Sequence, residues 1–162
     1  MLIDQTVVTW DRDVFPCWQR SANAAARPNS DVWGPLPGDI RWFSATLEEQ
    51  DIPVLYMIGS QDLRDTFRTY KVNEVGLDMT GIDPHSHRVR VRAIAVNIRQ
   101  GLRLERPIIV ADSDQGPFVV IDGNHRCLAY RTIGRLSGVG VYLGLARGLS
   151  HRYKWARLAL AT

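Results

Sequence analysis

Apolar and polar positions follow one another along this chain in blocks whose lengths separate strands from helices. Ile52-Pro53-Val54-Leu55-Tyr56-Met57-Ile58 is a short apolar run between Asp51 and Gly59, with the length and branched content of a buried strand. Pro53 has no amide hydrogen to give to a neighbour, which confines the run to a sheet edge or a strand start. Residues 62–70 are mixed in character and predict a short helix, and Thr69-Tyr70-Lys71-Val72 predicts the opening of another strand. Asp83 followed by Pro84 supplies an N-cap with proline at the first helical position, and Gly101 supplies the stop, so a helix is expected over about 84–100. Val91, Ile94, Ala95 and Ile98 share one face of that helix, whereas Arg88, Arg92, Arg99 and Arg103 fall in a narrow stripe on another.

Two apolar runs follow, 107–111 and 117–121, joined by the polar turn Asp112-Ser113-Asp114-Gln115-Gly116; together they read as a β-hairpin. The polar cluster Asp122-Gly123-Asn124-His125-Arg126 comes next, and residues 127–133 then carry helical periodicity up to Gly134, which puts the cluster at a strand-to-helix junction. A closing strand over 139–143 and a helix over about 152–160 complete the pattern. Before residue 40 no such periodicity exists. Trp10, Trp18 and Trp33 stand among small and polar residues ahead of the loop-forming Trp33-Gly34-Pro35-Leu36-Pro37-Gly38. The expected organisation is an irregular N-terminal arm and loop over 1–40 and one α+β domain over 41–162. A chain of 162 residues that is 45% hydrophobic suits one core.

Charged residues make up 23% of the chain, and no apolar run approaches the ~20 residues a bilayer demands, so neither disorder nor membrane insertion is expected. The first residues lack the basic and apolar regions of a secretory signal, and the expected compartment is a bacterial-type cytoplasm. Cys17 and Cys127 have no metal-like spacing and build no disulfide framework. The net charge of +3 is too small to identify a nucleic-acid binder. Its make-up changes the picture, because Lys71 and Lys154 are the only lysines among 20 basic residues, and the guanidinium fork of arginine suits phosphate and carboxylate. A GC-rich genome accounts for the same bias.

The junction at 122–126 is where anion chemistry is expected. A helix start leaves backbone N–H groups unpaired and carries a partial positive charge, Gly123 permits a close backbone approach, Asn124 is placed to cap, and His125 and Arg126 add donors in the first turn. A cation in a first turn opposes the helix dipole, so Arg126 there implies either a bound phosphate or a carboxylate partner. Asp122, at the strand end, is the candidate general base or Mg²⁺ ligand, with Asp83 behind it. The arginine stripe is either a solvated face or a DNA-phosphate edge.

The order of helix, glycine stop, Pro-Ile-Ile-Val strand, Phe-Val-Val-Ile-Asp-Gly strand, Asn-His-Arg helix and Val-Tyr-Leu strand resembles the ParB/sulfiredoxin superfamily over roughly residues 83–145. The most specific segment is Val120-Ile121-Asp122-Gly123-Asn124-His125-Arg126-Cys127-Leu128-Ala129. Partition ParB proteins carry Gly-Glu-Arg-Arg-x-x-Ala there and sulfiredoxins Gly-Cys-His-Arg, in both cases on nucleotide phosphates. The resemblance implies that Gly123, His125 and Arg126 contact phosphate and that Ala129 is the small packing position. Asn124 replaces the sulfiredoxin nucleophile, Cys127 reads as a core residue, and no helix-turn-helix follows. Sulfinate reduction and centromere binding are therefore not expected. Small plasmid fertility-inhibition proteins of this superfamily, which are ATPases with DNase activity, are similar in size.

The functional expectation is a phosphohydrolase that binds ATP or another nucleoside triphosphate through Gly123, Asn124, His125 and Arg126. Asp122, His125 and Arg126 are its expected catalytic groups, with Mg²⁺ as cofactor, and Arg88, Arg92, Arg99 and Arg103 its expected contacts to DNA. A protein of a conjugation or secretion apparatus is a further expected partner, and no membrane is. Two other readings stand beside it: a nucleotide-switched interaction module without catalysis, and a small-molecule kinase using Asp62, Asp65, Glu74 or Asp78. His85-Ser86-His87 lacks a third ligand for zinc. The absence of Gly-x-x-x-x-Gly-Lys-Ser/Thr excludes P-loop chemistry, and Tyr130, Tyr142, Tyr153 and Trp155 read as core rather than base-stacking aromatics.

Overall fold

The structure, a computed structural model, describes residues 1–16, 36–80, 83 and 86–161. It is an α+β fold built on one six-stranded mixed sheet in the order β1-β2-β6-β4-β5-β3. The strands are β1 (Leu2–Val8), β2 (Arg41–Thr46), β3 (Leu55–Met57), β4 (Ile108–Ala111), β5 (Phe118–Asp122) and β6 (Gly140–Leu145). The helices are α1 (Gln61–Phe67), α2 (His87–Arg99), α3 (Asn124–Thr132), α4 (Leu149–Arg152) and α5 (Lys154–Leu160). β4 runs antiparallel to β5 and parallel to β6, while β3 lies parallel to β5 at the sheet edge.

The central strands explain the apolar runs. Ile108, Ile109, Val110 and Ala111 in β4 and Phe118 to Ile121 in β5 are all buried, the pattern of strands covered on both faces. Leu149, Ala156 and Leu160 of α4 and α5 lie against Val110 and Val119 on one face. α2 and α3 pack on each other and add Val91, Ala95 and Ile98, and Cys127, Leu128 and Ala129, to the same core. Burying one such aliphatic side chain contributes about 1.5–3 kcal/mol, and these central runs dominate the stabilisation.

Several sequence expectations shift. Residues 1–40 are not wholly irregular, since β1 pairs antiparallel with β2 at the sheet edge, followed by a wide helical turn over Trp10–Val14 in which Trp10 packs on Trp42. Cys17, Trp18, Trp33, Pro84 and His85 lie outside the described residues. The 52–58 run divides: Glu49–Val54 is a 3₁₀ turn that accommodates Pro53, and only Leu55–Met57 pairs, at the edge that proline allows. Thr69–Val72 gives a single bridge between Lys71 and Tyr56 and then a 3₁₀ turn, not a strand. α2 starts at His87, capped by the Ser86 hydroxyl accepting from the Val89 amide at 3.3 Å, so its N-cap stands three residues beyond the expected Asp83. The helix over 152–160 is two helices that meet at the extended Tyr153.

Candidate functional site

β5 delivers Asp122 to the sheet end opposite Ile108, and the next residue turns the chain into α3. Gly123 does so with φ of 88°, where a Cβ would stand 2.9 Å from Nε and Nη2 of Arg126 and 3.0 Å from Cα of Pro107. Glycine is required on both counts, left-handed backbone and space. The first helical bond runs from the Cys127 amide to the Gly123 carbonyl at 2.9 Å, so the amides of residues 124–126 precede the intrahelical ladder.

Asn124 is buried and turned away from this helix start. Its Oδ1 accepts the Ile58 amide at 3.0 Å, so it neither caps α3 nor offers its side-chain oxygen to a ligand; it ties the end of β3 to the junction instead. Arg126 is buried too, at 8% exposure, with both terminal nitrogens engaged: Nη1 donates to the Glu105 carbonyl at 2.8 Å and Nη2 to Asp122 Oδ2. Of the two partners the sequence allows a first-turn cation, the protein supplies the carboxylate itself. Asp122 is correspondingly engaged by Arg126.

His125 leans on α2. Its Nε2 lies 2.8 Å from Nδ1 of His87, and the rings stack with centroids 5.0 Å apart. One imidazole donates and the other accepts, an arrangement open to a pair of neutral rings. Burial first, then His87, Arg90 and Arg126, depress the His125 pKa to about 3. His87 is lowered as well, by burial and Arg90, with Asp62 opposing. Cys127 is fully buried and its thiol is pushed up to about 12 by that burial, which agrees with a packing role.

An open cleft of about 400 Å³ is lined by Asp122, Gly123, His125 and Arg126, together with Arg90, Ile94, Leu104 and Glu105. The expected junction residues thus share one cavity, Asn124 excepted. Arg90 and His87 were not legible as members. Arg90 falls off the arginine stripe on a helical wheel, and His87 is 38 residues from His125, so only the packing of α2 on α3 brings them in. For His87 the signal was the His85-Ser86-His87 cluster, which was weighed only as a zinc site.

The arginine stripe does not form one row. Arg88 is spent on the carbonyls of Asp78 at 3.0 Å and Thr66 at 3.3 Å, and Arg103 lies beyond the helix, which ends at Arg99. Arg92 and Arg99 remain, both exposed on α2. The carboxylates considered for a kinase do not line the cleft: Asp65 accepts from Gln61, Glu74 from Thr69 and Lys71, and Asp78 from Thr80. No group of three or more His, Cys, Asp or Glu is arranged for a metal among the described residues. Mg²⁺ needs only one or two carboxylates when phosphate oxygens supply the rest, and Asp122 and Glu105 in the cleft fit that lesser requirement. No described helix is long and apolar enough to cross a membrane. Comparison with family models, with curated proteins and with solved structures found nothing that matches this chain.

Proposed function

We propose that the cleft binds the phosphates of ATP or another nucleoside triphosphate and that the protein is a phosphohydrolase of the ParB/sulfiredoxin type its junction resembles. The observation that carries this reading is the convergence of the Gly123 turn, the start of α3, His125, Arg126 and Arg90 on one open cavity. Arg90 and Arg126 both press His125 toward its neutral form. An anion entering the cleft reverses that penalty while gaining charge-assisted bonds from the arginines and the helix amides.

Hydrolysis of a terminal phosphoryl group consists mainly of positioning and charge stabilisation. Water attacks the γ-phosphorus as the bond to the bridging oxygen breaks, and the nucleoside diphosphate departs with that oxygen. Arg90, on the exposed side of the cleft, is placed for the developing equatorial charge. Arg126 has a second part: a phosphate that takes over its Nη2 releases Asp122, whose carboxylate then accepts the proton of the attacking water. Asp122 and Glu105, which share the cavity, would hold a Mg²⁺ ion accompanying the nucleotide, and that ion would supply charge neutralisation.

The Asp122–Arg126 pair also favours a second reading. If phosphate binding leaves that pair closed, the cleft holds a nucleotide without a released base, and the protein is a nucleotide-switched module for a partner such as a conjugation or secretion apparatus. Titration calorimetry with ATP and ADP, with and without Mg²⁺, alongside an assay of phosphate release, separates the two. Saturable binding with release of phosphate is the expected result, and binding without release selects the module. Arg90→Gln, at an exposed position, is expected to weaken ATP about tenfold while the protein stays folded. No nucleotide binding, or wild-type affinity in both Arg90→Gln and His125→Gln, would overturn the phosphate site.

A further inference from the structure

We propose that the outer face of α2 docks an acidic, amphipathic segment of a partner protein, with Val96 and Leu102 as its apolar anchors and Arg92, Arg99 and Arg103 as its charge contacts. The proposal is independent of the nucleotide reading. Residues 84–104 contain five arginines and no carboxylate, more positive charge than the net +3 of the whole chain. Of those five, Arg88 is consumed by backbone carbonyls and Arg90 belongs to the cleft. Arg92, Arg99 and Arg103 are exposed, and none of them donates to another described residue.

Two aliphatic side chains lie among these cations. Val96 is 44% exposed and Leu102 53%, so both present much of an aliphatic side chain to solvent rather than to the core. Val96 is one helical turn from Arg92 on one side and from Arg99 on the other, so cation, aliphatic and cation form one continuous line along α2. Leu102 and Arg103 are held beyond the helix end by a closed cap. The Gly101 amide donates to Ile98 and the Leu102 amide to Asn97, with Gly101 at φ of 82°. The line therefore sits on hydrogen-bonded backbone from α2 into its C-terminal cap.

Charge complementarity selects the occupant. A duplex backbone would neutralise the arginines but would set Val96 and Leu102 against phosphates, with nothing apolar to cover them. A helix carrying an aliphatic residue with carboxylates one turn to either side matches both components, burying Val96 while its carboxylates meet Arg92 and Arg99. Removing an aliphatic anchor from such a contact is expected to weaken it about tenfold.

The test uses the full chain and three fluorescent probes: a synthetic helical peptide with glutamates spaced one turn from a central leucine, a scrambled peptide of the same composition, and a short DNA duplex. The ordered peptide is expected to bind about tenfold more tightly than the scrambled one, and Val96→Ser and the double variant Arg92→Gln/Arg99→Gln are each expected to remove that preference. Arg157→Gln, an exposed arginine on α5, serves as the control and should leave it unchanged. No preference for the ordered peptide overturns the proposal. So does tighter binding of the duplex that the double variant loses and Val96→Ser keeps, which would make this face a nucleic-acid surface. Circular dichroism of each variant confirms folding, since all the substituted positions are exposed.

Discussion

Arg126 and the pair Arg92 and Arg99 are the same residue type on neighbouring helices, yet they serve opposite ends. Arg126 is buried, pairs with Asp122 and holds the Glu105 carbonyl, so its charge is neutralised within the fold and the segment before β4 is fastened to the start of α3. Arg92 and Arg99 are exposed and have no carboxylate on their helix. A guanidinium that meets its own carboxylate is architecture first. One that meets neither a carboxylate nor a carbonyl of the fold is available to something outside. The junction that most resembles a phosphate site is therefore also a structural joint, and substitutions there test stability before they test binding.

The largest effect is expected from Gly123→Ala. A left-handed φ costs a non-glycine residue roughly 1–2 kcal/mol, and the new Cβ would meet Arg126 and the Pro107 backbone, adding about 1–3 kcal/mol of crowding. A loss of about 3 kcal/mol in urea denaturation is expected. A variant with the parental midpoint would show that the junction relaxes freely and that Arg126 is not held as described.

Arg126→Ala comes next. It leaves Asp122 and the Glu105 carbonyl without their donor, and removing one member of a largely buried pair costs about 2–3 kcal/mol at this partial exposure. Asp122→Asn should recover part of that loss in the double variant, because the stranded carboxylate is then gone. Additive single effects in a double-mutant cycle would mean that the two side chains do not share one bond network.

How far these features could be read in advance depended on range. The hairpin β4–β5, the junction and the glycine stop of α2 were legible, because each is set by residues within a few positions of one another: Asp112 to Gly116 for the turn, Gly123 for the entry to α3, Gly101 for the exit of α2. Arg126's bond to the Glu105 carbonyl, 21 residues away, and the role of Asn124 were not. Ile58 is 66 residues from Asn124, and a side chain that closes a contact over that span follows from sheet order, which local periodicity does not encode. The N-terminal strand escaped for a related reason: β1 is an edge strand whose Asp4 and Gln5 interrupt the apolar pattern that would have announced it.

Protonation offers a smaller, directional test of the joint. His125 has its pKa lowered to about 3 in the folded protein, while an unfolded chain returns it to about 6.5. Below 6.5 the unfolded state binds a proton that the folded state refuses, so this contribution is complete above that pH and is lost as pH falls from 6.5 toward 3. His87 acts in the same direction. Between pH 7 and 5.5, before carboxylates titrate, the wild type should lose stability that His125→Gln does not lose. Equal slopes would place His125 in contact with solvent rather than against His87 and the arginines.

The smallest effect is expected where the charge is free. Arg92→Gln/Arg99→Gln removes two exposed cations that repel each other and the other arginines of residues 84–104, and with Arg99 a last-turn cation favoured by the α2 dipole, so the opposing terms should leave stability within a few tenths of a kcal/mol of the wild type at low ionic strength. The two residues are seven positions apart on α2, about 10.5 Å along its axis, longer than the ~8 Å Debye length near 0.15 M salt. That small difference should therefore vanish as salt is added, whereas the cost of Arg126→Ala, set inside the fold where counterions do not reach, should stay nearly constant over the same range. Denaturation of the three proteins at low and high salt reads both behaviours at once. A salt-independent loss in the double variant would mean that Arg92 or Arg99 has a partner within the chain, and the division between structural and available arginines would fail at its exposed end.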